Sequence, residues 1–257
     1  MIERKKIESK VVMKMLQESH YLETKDCTLI YYEKSGQGAP LFLLHGNGGH
    51  GGYFSGQIQS FAEYFTVYVI DSRSHGRSTN AREVLDFPLM ANDLLELMLH
   101  ENLEEISILG FSDGANLALV FSILYPERVN ALVLNAGNTL VSGIKLWGNL
   151  ATRVQYIWFR LLSLFQPKYK KNAQVVKLMM HDIGVAESQL DQISCPVLII
   201  VGSRDVVKLS HSKYLARAIK PASFIRMARE NHFYAKRNPA SFNHEVLVFL
   251  KNKQVIK

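Results

Sequence analysis

The sequence is poor in cysteine. Its 257 residues include only two, Cys27 and Cys195, and these do not form a paired Cys motif. A disulfide framework needs a denser set of cysteines, and a structural zinc site needs Cys or His residues at close spacing. The composition therefore argues against a disulfide scaffold and indicates no metal site.

Long apolar runs are also missing. Apolar runs such as those at residues 131–134 and 197–201 are far shorter than the roughly 20 residues that cross a bilayer. The N-terminal sequence Met-Ile-Glu-Arg-Lys-Lys is charged, and no apolar signal segment follows it. We therefore expect no transmembrane segment and a cytoplasmic protein. With 47% hydrophobic residues, the chain still has enough apolar material for a sizeable core.

Acidic residues are absent between Arg128 and His181. The same span carries eight basic residues, namely Arg128, Lys145, Arg153, Arg160, Lys168, Lys170, Lys171 and Lys177, and aromatic residues that include Trp147, Tyr156, Trp158, Phe159 and Phe165. Two interpretations stay open. In the first, a helix closes a pocket with its apolar face and leaves its basic face in water; the apolar side chains recur at helical spacing at Val154, Ile157, Trp158, Leu161, Leu162 and Phe165. In the second, the basic, aromatic surface associates weakly with anionic lipid or an anionic substrate. The net charge of +7 indicates solubility for the whole chain, and no nucleic-acid partner is expected.

Short apolar runs alternate with helix-like stretches along most of the chain. Predicted strands cover residues 28–32, 40–44, 66–70, 106–109, 131–134, 197–201 and 222–227, and predicted helices cover 53–64, 89–101 and 115–125. Apolar strands separated by helices are typical of a parallel sheet covered on both faces. The pattern predicts an α/β fold whose ligands bind beyond the carboxyl ends of the strands.

The chain divides into a core and two additions. Residues 1–24 carry apolar side chains at helical spacing and predict an amphipathic N-terminal extension. Residues 138–192 contain no clear strand and lie between two strands, so we expect a helical insertion over the sheet. Residues 25–137 and 193–257 form the predicted core.

The sequence Gly-Phe-Ser-Asp-Gly at 110–114 follows a predicted strand and precedes a predicted helix. This is the setting of a G-x-S-x-G nucleophile elbow, whose small residues allow a tight turn that lifts the serine hydroxyl clear of the sheet. The helix that begins there directs backbone N–H groups at the site, where they favour developing negative charge. The motif predicts Ser112 as a nucleophile.

A serine hydroxyl needs a base to become a nucleophile, and the base needs an acid to orient it. With this elbow, the partners follow along the chain in the order acid, then histidine. Asp205 comes just after the apolar run 197–201, and His232 lies in a loop after the predicted strand 222–227. Since Asp182 and Asp191 belong to the insertion, we predict a triad of Ser112, Asp205 and His232.

A glycine-rich loop, His-Gly-Asn-Gly-Gly at 45–49, follows another buried strand. Acyl transfer needs two N–H groups that face the oxyanion of the tetrahedral intermediate. We predict that they come from Asp113, the residue after the nucleophile, and from Asn47 in this loop. The loop lacks the lysine and hydroxyl of a phosphate loop and the spacing of a dinucleotide motif.

These residues together resemble the α/β-hydrolase superfamily over roughly residues 25–252. The stretch 71–78 is similar to the turn D-x-R-G-H-G-x-S of many members, with Ser74 where glycine is usual. The resemblance implies a mostly parallel central sheet, helices on both faces and a helical cap, here 138–192, that shapes the acyl pocket. It maps the nucleophile onto Ser112, which disfavours members with aspartate there, such as haloalkane dehalogenases and epoxide hydrolases. The elbow also resembles small-ester hydrolases related to valacyclovir hydrolase.

The predicted reaction is hydrolysis of a carboxylic ester or related acyl bond in a small molecule, through an acyl-enzyme and without a metal or organic cofactor. Two alternatives stay open. One is hydrolysis of a C–C, amide or lactone bond by the same triad. The other is a non-catalytic ligand-binding member of the fold, against which the intact Ser-Asp-His set argues.

Overall fold

A computed structural model describes residues 18–255 and confirms the predicted α/β fold. The strands form one eight-stranded sheet in the order β1-β2-β4-β3-β5-β6-β7-β8. They are β1 (Glu18–Glu23), β2 (Leu29–Ser35), β3 (Ala39–Leu44), β4 (Phe65–Ile70), β5 (Ile106–Phe111), β6 (Val129–Asn135), β7 (Val197–Gly202) and β8 (Ala222–Met227). From β4 to β8 neighbours are parallel, and β2 pairs antiparallel with both β1 and β4.

Helices connect the parallel strands, and two more follow the last strand, β8. They are α1 (Ile58–Ala62), α2 (Phe87–His100), α3 (Asp113–Leu124), α4 (Leu146–Leu162), α5 (Lys168–Lys177), α6 (Glu187–Leu190), α7 (Leu209–Ala218), α8 (Tyr234–Arg237) and α9 (Pro239–Asn252), with short 3₁₀ turns at Gly51–Phe54, Pro126–Arg128, Val141–Gly143 and Leu178–Met180. Helices α4, α5 and α6 fall within residues 138–192, so the insertion is helical. Within residues 18–255, no helix is both long and apolar enough to cross a membrane.

The sheet is buried on both faces. Along β3, Phe42 and Leu44 belong to one apolar cluster, and Leu41 and Leu43 belong to another. Helices α2, α3 and α7 complete the first cluster, whereas α1, α8 and α9 complete the second. Because successive side chains of a strand point to opposite faces, one short apolar run supplies both layers.

Strand β1 lies inside the stretch 1–24 that the sequence assigns to an N-terminal extension. It pairs with β2 over its full length, from Glu18 opposite Lys34 to Glu23 opposite Leu29. The sheet therefore starts seven residues before the predicted core boundary at residue 25. The apolar positions from Ile7 to Leu16, which predict an amphipathic helix, lie outside the described residues.

The turn after β4 is fixed by a buried arginine. The Arg73 guanidinium contacts Asp93 at 2.5 Å and Asp26 at 2.9 Å, and it donates to Thr28. Ser74, which replaces the usual glycine of this turn, has a φ of +64°. A side chain in this left-handed region costs roughly 1 kcal/mol or more, which the surrounding contacts offset.

Two buried histidines beside this turn are held neutral. His45 donates from Nδ1 to the Gly46 carbonyl and accepts from the Ser72 N–H at Nε2, while His75 donates from Nδ1 to the Arg73 carbonyl. Burial lowers the pKa of His45, and burial together with the neighbouring His45 lowers the pKa of His75 to about 3. Protonation of either ring in the folded state is therefore unfavourable.

We expect this to make the protein less stable in mild acid. A histidine with an ordinary pKa of 6.5 in the unfolded chain and about 3 in the folded one stabilises the fold fully above pH 6.5. That contribution is lost as the pH falls from 6.5 toward 3, by up to about 1.4 kcal/mol per pH unit. Urea unfolding between pH 7 and 4.5 measures the slope of the free energy of unfolding against pH. His75→Gln should flatten it, whereas His100→Gln, at an exposed position, should leave it unchanged. An unaltered slope in His75→Gln would contradict the assignment.

Candidate active site

Ser112 sits on the sharp turn between β5 and α3. Its φ of +53° and ψ of −120° lie in a sparsely populated region that is typical of a nucleophile elbow. Glycine is required on both sides, because a Cβ on Gly110 would overlap the Gly114 carbonyl and one on Gly114 would overlap the Leu44 carbonyl. The turn is anchored by the Ser112 N–H, which donates to the Asn135 carbonyl at 2.8 Å.

The three predicted triad residues form one hydrogen-bonded chain. His232 Nε2 lies 3.1 Å from Ser112 Oγ, and His232 Nδ1 lies 2.7 Å from Asp205 Oδ1. Asp205 follows β7 and is 2% exposed, and its Oδ1 also accepts from the Val207 N–H at 3.0 Å. Because the carboxylate accepts a hydrogen bond from Nδ1–H, the proton stays on Nδ1 and Nε2 presents its lone pair to the serine hydroxyl.

Aromatic rings and one close backbone contact hold His232 in place. Its ring lies 4.8 Å from that of Phe111 and 5.5 Å from that of Phe233, measured between centroids. Phe111 in turn stacks on Tyr53 at 4.2 Å. The loop before His232 packs so closely on the end of β7 that a Cβ on Gly202 would overlap the Glu230 carbonyl.

The rival carboxylates have other partners. Asp182 accepts from the Val141 N–H at 2.6 Å, and Asp191 pairs with Lys220 at 2.8 Å. Both side chains belong to exposed residues, whereas Asp205 is buried against His232. Within residues 18–255, no cluster of three His, Cys, Asp or Glu side chains is arranged to hold a metal ion.

Asn47 and Asp113, predicted to supply the oxyanion N–H groups, contact each other beside Ser112. The Asn47 amide donates to Asp113 Oδ2 at 2.8 Å and to the Val175 carbonyl at 2.7 Å. Asp113 begins α3, where N–H groups have no acceptor within the helix. In the chain from 18 to 255, neither backbone N–H donates to another protein group. Burial raises the pKa of the Asp113 carboxyl, opposed by the hydrogen bonds from Asn47 and Asn116.

Sequence reasoning missed Asn116. Its amide donates to Asp113 Oδ1 at 3.1 Å, and its oxygen accepts from the Asn138 N–H at 2.7 Å. It thereby ties the start of the insertion to the elbow helix. The available signal was its spacing, four residues after Ser112, which places it on the same face of α3 one turn later.

A family model described as the α/β-hydrolase fold matches residues 39–170, just over half of the chain. The chain belongs to the α/β-hydrolase family. This confirms the resemblance inferred from the elbow, the glycine-rich loop and the order of Ser112, Asp205 and His232.

The names of proteins similar to this α/β-hydrolase refer to the hydrolysis of different kinds of bond. A protein of Caulobacter sp. strain K31 that is named as the carbamate hydrolase RutD is 26% identical, over 87% of this chain and 96% of its own. The 3-oxoadipate enol-lactonase 2 of Acinetobacter baylyi is 23% identical, over 76% and 82%. A thermophilic esterase from Thermogutta terrifontis superposes with a TM-score of 0.78 at 20% identity, over 92% and 99%, which shows the shared fold.

The hydrolase has a small cavity beside Ser112 and His232. Its volume is about 110 Å³. The elbow helix contributes Asn116, and much of the remaining wall comes from the insertion, with Asn138, Ile144, Gly148, Asn149, Thr152, Leu178, Met179, His181 and Ile183. The wall is therefore mixed, with amide and hydroxyl groups next to aliphatic ones.

The orientation of α4 corrects one of the two interpretations of the insertion. Gly148, Asn149 and Thr152 line the cavity. The apolar positions predicted to close it, such as Val154, Ile157 and Leu161, are instead more than half exposed. The physical reason is size: glycine and short polar side chains let the helix approach the elbow, and the bulky side chains are left on the outer face.

Proposed function

We propose that this α/β-hydrolase is a serine esterase that cleaves carboxylic esters with short acyl groups. The observation that carries the proposal is the unbroken chain of hydrogen bonds from Ser112 through His232 to Asp205. A serine hydroxyl in contact with an oriented imidazole is the arrangement needed for nucleophilic attack on an acyl carbon. An ester places no further demand on the site, because its leaving alkoxide needs only the proton that the imidazolium carries.

Each step has a named residue. His232 Nε2 takes the proton as Ser112 Oγ attacks the ester carbonyl, and Asp205 stabilises the resulting imidazolium. The N–H groups of Asn47 and Asp113 hold the oxyanion. The imidazolium then gives its proton to the departing alcohol and leaves an acyl-serine. Water, deprotonated by His232, attacks that acyl group, and the proton returns to Ser112 as the acid departs.

The size of the cavity supports short acyl groups. At about 110 Å³ it lies below the roughly 300–1,000 Å³ that is usual for drug-sized ligands. Each buried methylene contributes about 0.8 kcal/mol, or roughly fourfold in kcat/KM, only while there is room for it. We therefore expect kcat/KM for 4-nitrophenyl esters to rise from acetyl to propionyl or butyryl and to fall by octanoyl.

Met179 provides a test of this limit. It borders both the catalytic cavity and a second cavity of about 450 Å³ lined by Gly49, His75 and Lys171. Met179→Ala should join the two and move the optimum to longer acyl groups. Met180→Ala is the matched control, because Met180 borders neither cavity. An optimum at octanoyl in the wild type would contradict the short-acyl assignment. Faster turnover of carbamates or lactones than of every ester would overturn the ester assignment itself.

A further inference from the structure

The outer face of α4 and the turn after it carry large apolar side chains in contact with solvent. Nine of them are 53–83% exposed. They are Leu146, Trp147, Leu150, Val154, Ile157, Trp158, Leu161, Leu164 and Phe165, and together they form what we term the α4 face. Monomeric proteins rarely leave so many large apolar side chains contiguous and exposed unless the surface binds something.

The arrangement on the helix is regular. At about 100° per residue, the exposed apolar positions from Leu146 to Leu161 fall within an arc of about 120°. Gly148, Asn149 and Thr152, which line the catalytic cavity, lie on the opposite side of the same helix. An apolar arc of this width normally faces the core of a protein. Here the core-facing side is occupied by small and polar residues.

The charged side chains of α4 and α5 all have one sign, since both helices contain Lys or Arg but no Asp or Glu. Arg153 and Arg160, two turns apart, are exposed on the same edge of the helix, and neither pairs with a carboxylate within residues 18–255. Lys168 and Lys170 follow on α5, where Lys170 pairs with Glu83. The span between Arg128 and His181 contains no Asp or Glu. A helix with an apolar face, exposed tryptophans and basic flanking residues has the composition of an interfacial helix on anionic lipid.

We propose that the α4 face docks the protein onto an anionic lipid surface. A second copy is a poorer occupant, because symmetric pairing would bring two spans of uncompensated positive charge together. The chain's own residues 1–17 are a poorer occupant as well. They join the sheet at Glu18 in the edge strand β1, whereas α4 follows β6, the third strand from the opposite edge. Anionic headgroups complement the arginines while the acyl region receives the apolar side chains.

Docking in this way places the catalytic cavity about one helix diameter, roughly 10 Å, from the lipid boundary. The proposal can be tested by measuring lipid binding, which does not depend on the proposed esterase activity. Trp147 and Trp158 are the chain's two tryptophans, and they are 62% and 60% exposed on the α4 face. Tryptophan emission therefore reports on this face alone.

The experiment mixes the full-length protein with vesicles of phosphatidylcholine, with or without phosphatidylglycerol, and combines flotation with tryptophan emission. With the anionic vesicles we expect flotation and a shift of emission to shorter wavelength, both reduced by added salt. With phosphatidylcholine alone, binding should be at least about tenfold weaker, since each basic side chain near an anionic surface contributes about fivefold.

Matched variants separate the apolar and charge contributions. Leu161→Gln should lower the partition coefficient about tenfold. Leu99→Gln should not, although Leu99 on α2 is equally exposed at 53%. Arg153→Gln and Arg160→Gln should each cost about fivefold on anionic vesicles. Arg217→Gln, at an exposed position of α7, should cost nothing.

Three results would overturn the proposal. The first is no binding to anionic vesicles, or binding that Leu99→Gln and Leu161→Gln weaken equally. The second is a lipid-free particle of two chains whose tryptophan emission is already that of buried indole, which would assign the face to a second copy. The third is the same emission from a lipid-free monomer, which would assign the face to the protein's own chain.

Discussion

Replacing Ser112 with alanine is expected to lower kcat/KM for the preferred ester by at least about a thousandfold while leaving the fold intact. The hydroxyl is the only protein hydrogen-bond partner of His232 Nε2 within residues 18–255 and is the proposed nucleophile, so the variant lacks the group that would attack the acyl carbon. The side chain is half-buried on a turn, and removing Oγ opens no cavity in either apolar cluster. The free energy of unfolding, measured by thermal denaturation, should therefore stay within about 1 kcal/mol of the wild-type value.

A fluorophosphonate probe gives a second measurement on the same residue. It should label the wild-type protein at Ser112 and leave Ser112→Ala unlabelled. Ser55→Ala serves as the control, because Ser55 is an exposed serine in another turn and should keep full labelling and turnover. If Ser112→Ala retained more than roughly a tenth of the activity, the nucleophile would have to be another group.

The meeting of Ser112, Asp205 and His232 was predictable because each of them follows a strand of the sheet. Ser112 follows β5, Asp205 follows β7 and His232 follows β8, and parallel strands bring their carboxyl ends to one edge of the sheet. The order of the three residues along the chain is what predicts their separate roles as nucleophile, acid and base. Short apolar runs between turn residues are local signals, and for this reason they can be read directly from a sequence.

Features that depend on distant partners were not predictable in the same way. The strand β1 has the sequence Glu-Ser-His-Tyr-Leu-Glu and buries only Leu22. Such a polar sequence does not predict a strand, because this one is formed by its pairing with β2. The burial of Arg73 depends on Asp26 and Asp93, which lie far away in sequence. The sequence pattern around Arg73 therefore could not predict that this side chain is buried.

Helix α4 shows the limit of periodicity most clearly. The spacing of Val154, Ile157 and Leu161 predicts an amphipathic helix, and that helix is present. Periodicity defines a face but does not say what the face meets. The decisive residue was Gly148, which lets the helix approach Val206 and Ile144 so closely that a Cβ would overlap both side chains. Which side of an insertion packs inward depends on such small residues as well as on the apolar ones.

Asp205→Asn is expected to lower kcat by about three to four orders of magnitude. In the wild type, Asp205 Oδ1 accepts both from His232 Nδ1 and from the Val207 N–H. An asparagine whose oxygen takes this position can still accept from both N–H groups, but it carries no negative charge. The imidazolium that forms when His232 takes the Ser112 proton then loses the buried charge that stabilises it, so His232 becomes a much weaker base toward Ser112.

The measurement is kcat for the preferred ester, together with the rate of fluorophosphonate labelling, which should fall in parallel because it needs the same base. Asp182→Asn and Asp191→Asn are the matched controls: each removes one carboxylate from the insertion, where the first accepts from Val141 and the second pairs with Lys220. Both should stay within a few-fold of the wild type. If either control lost more activity than Asp205→Asn, the acid of the triad would be misassigned, because the proposal gives the support of the His232 imidazolium to the buried carboxylate at 205.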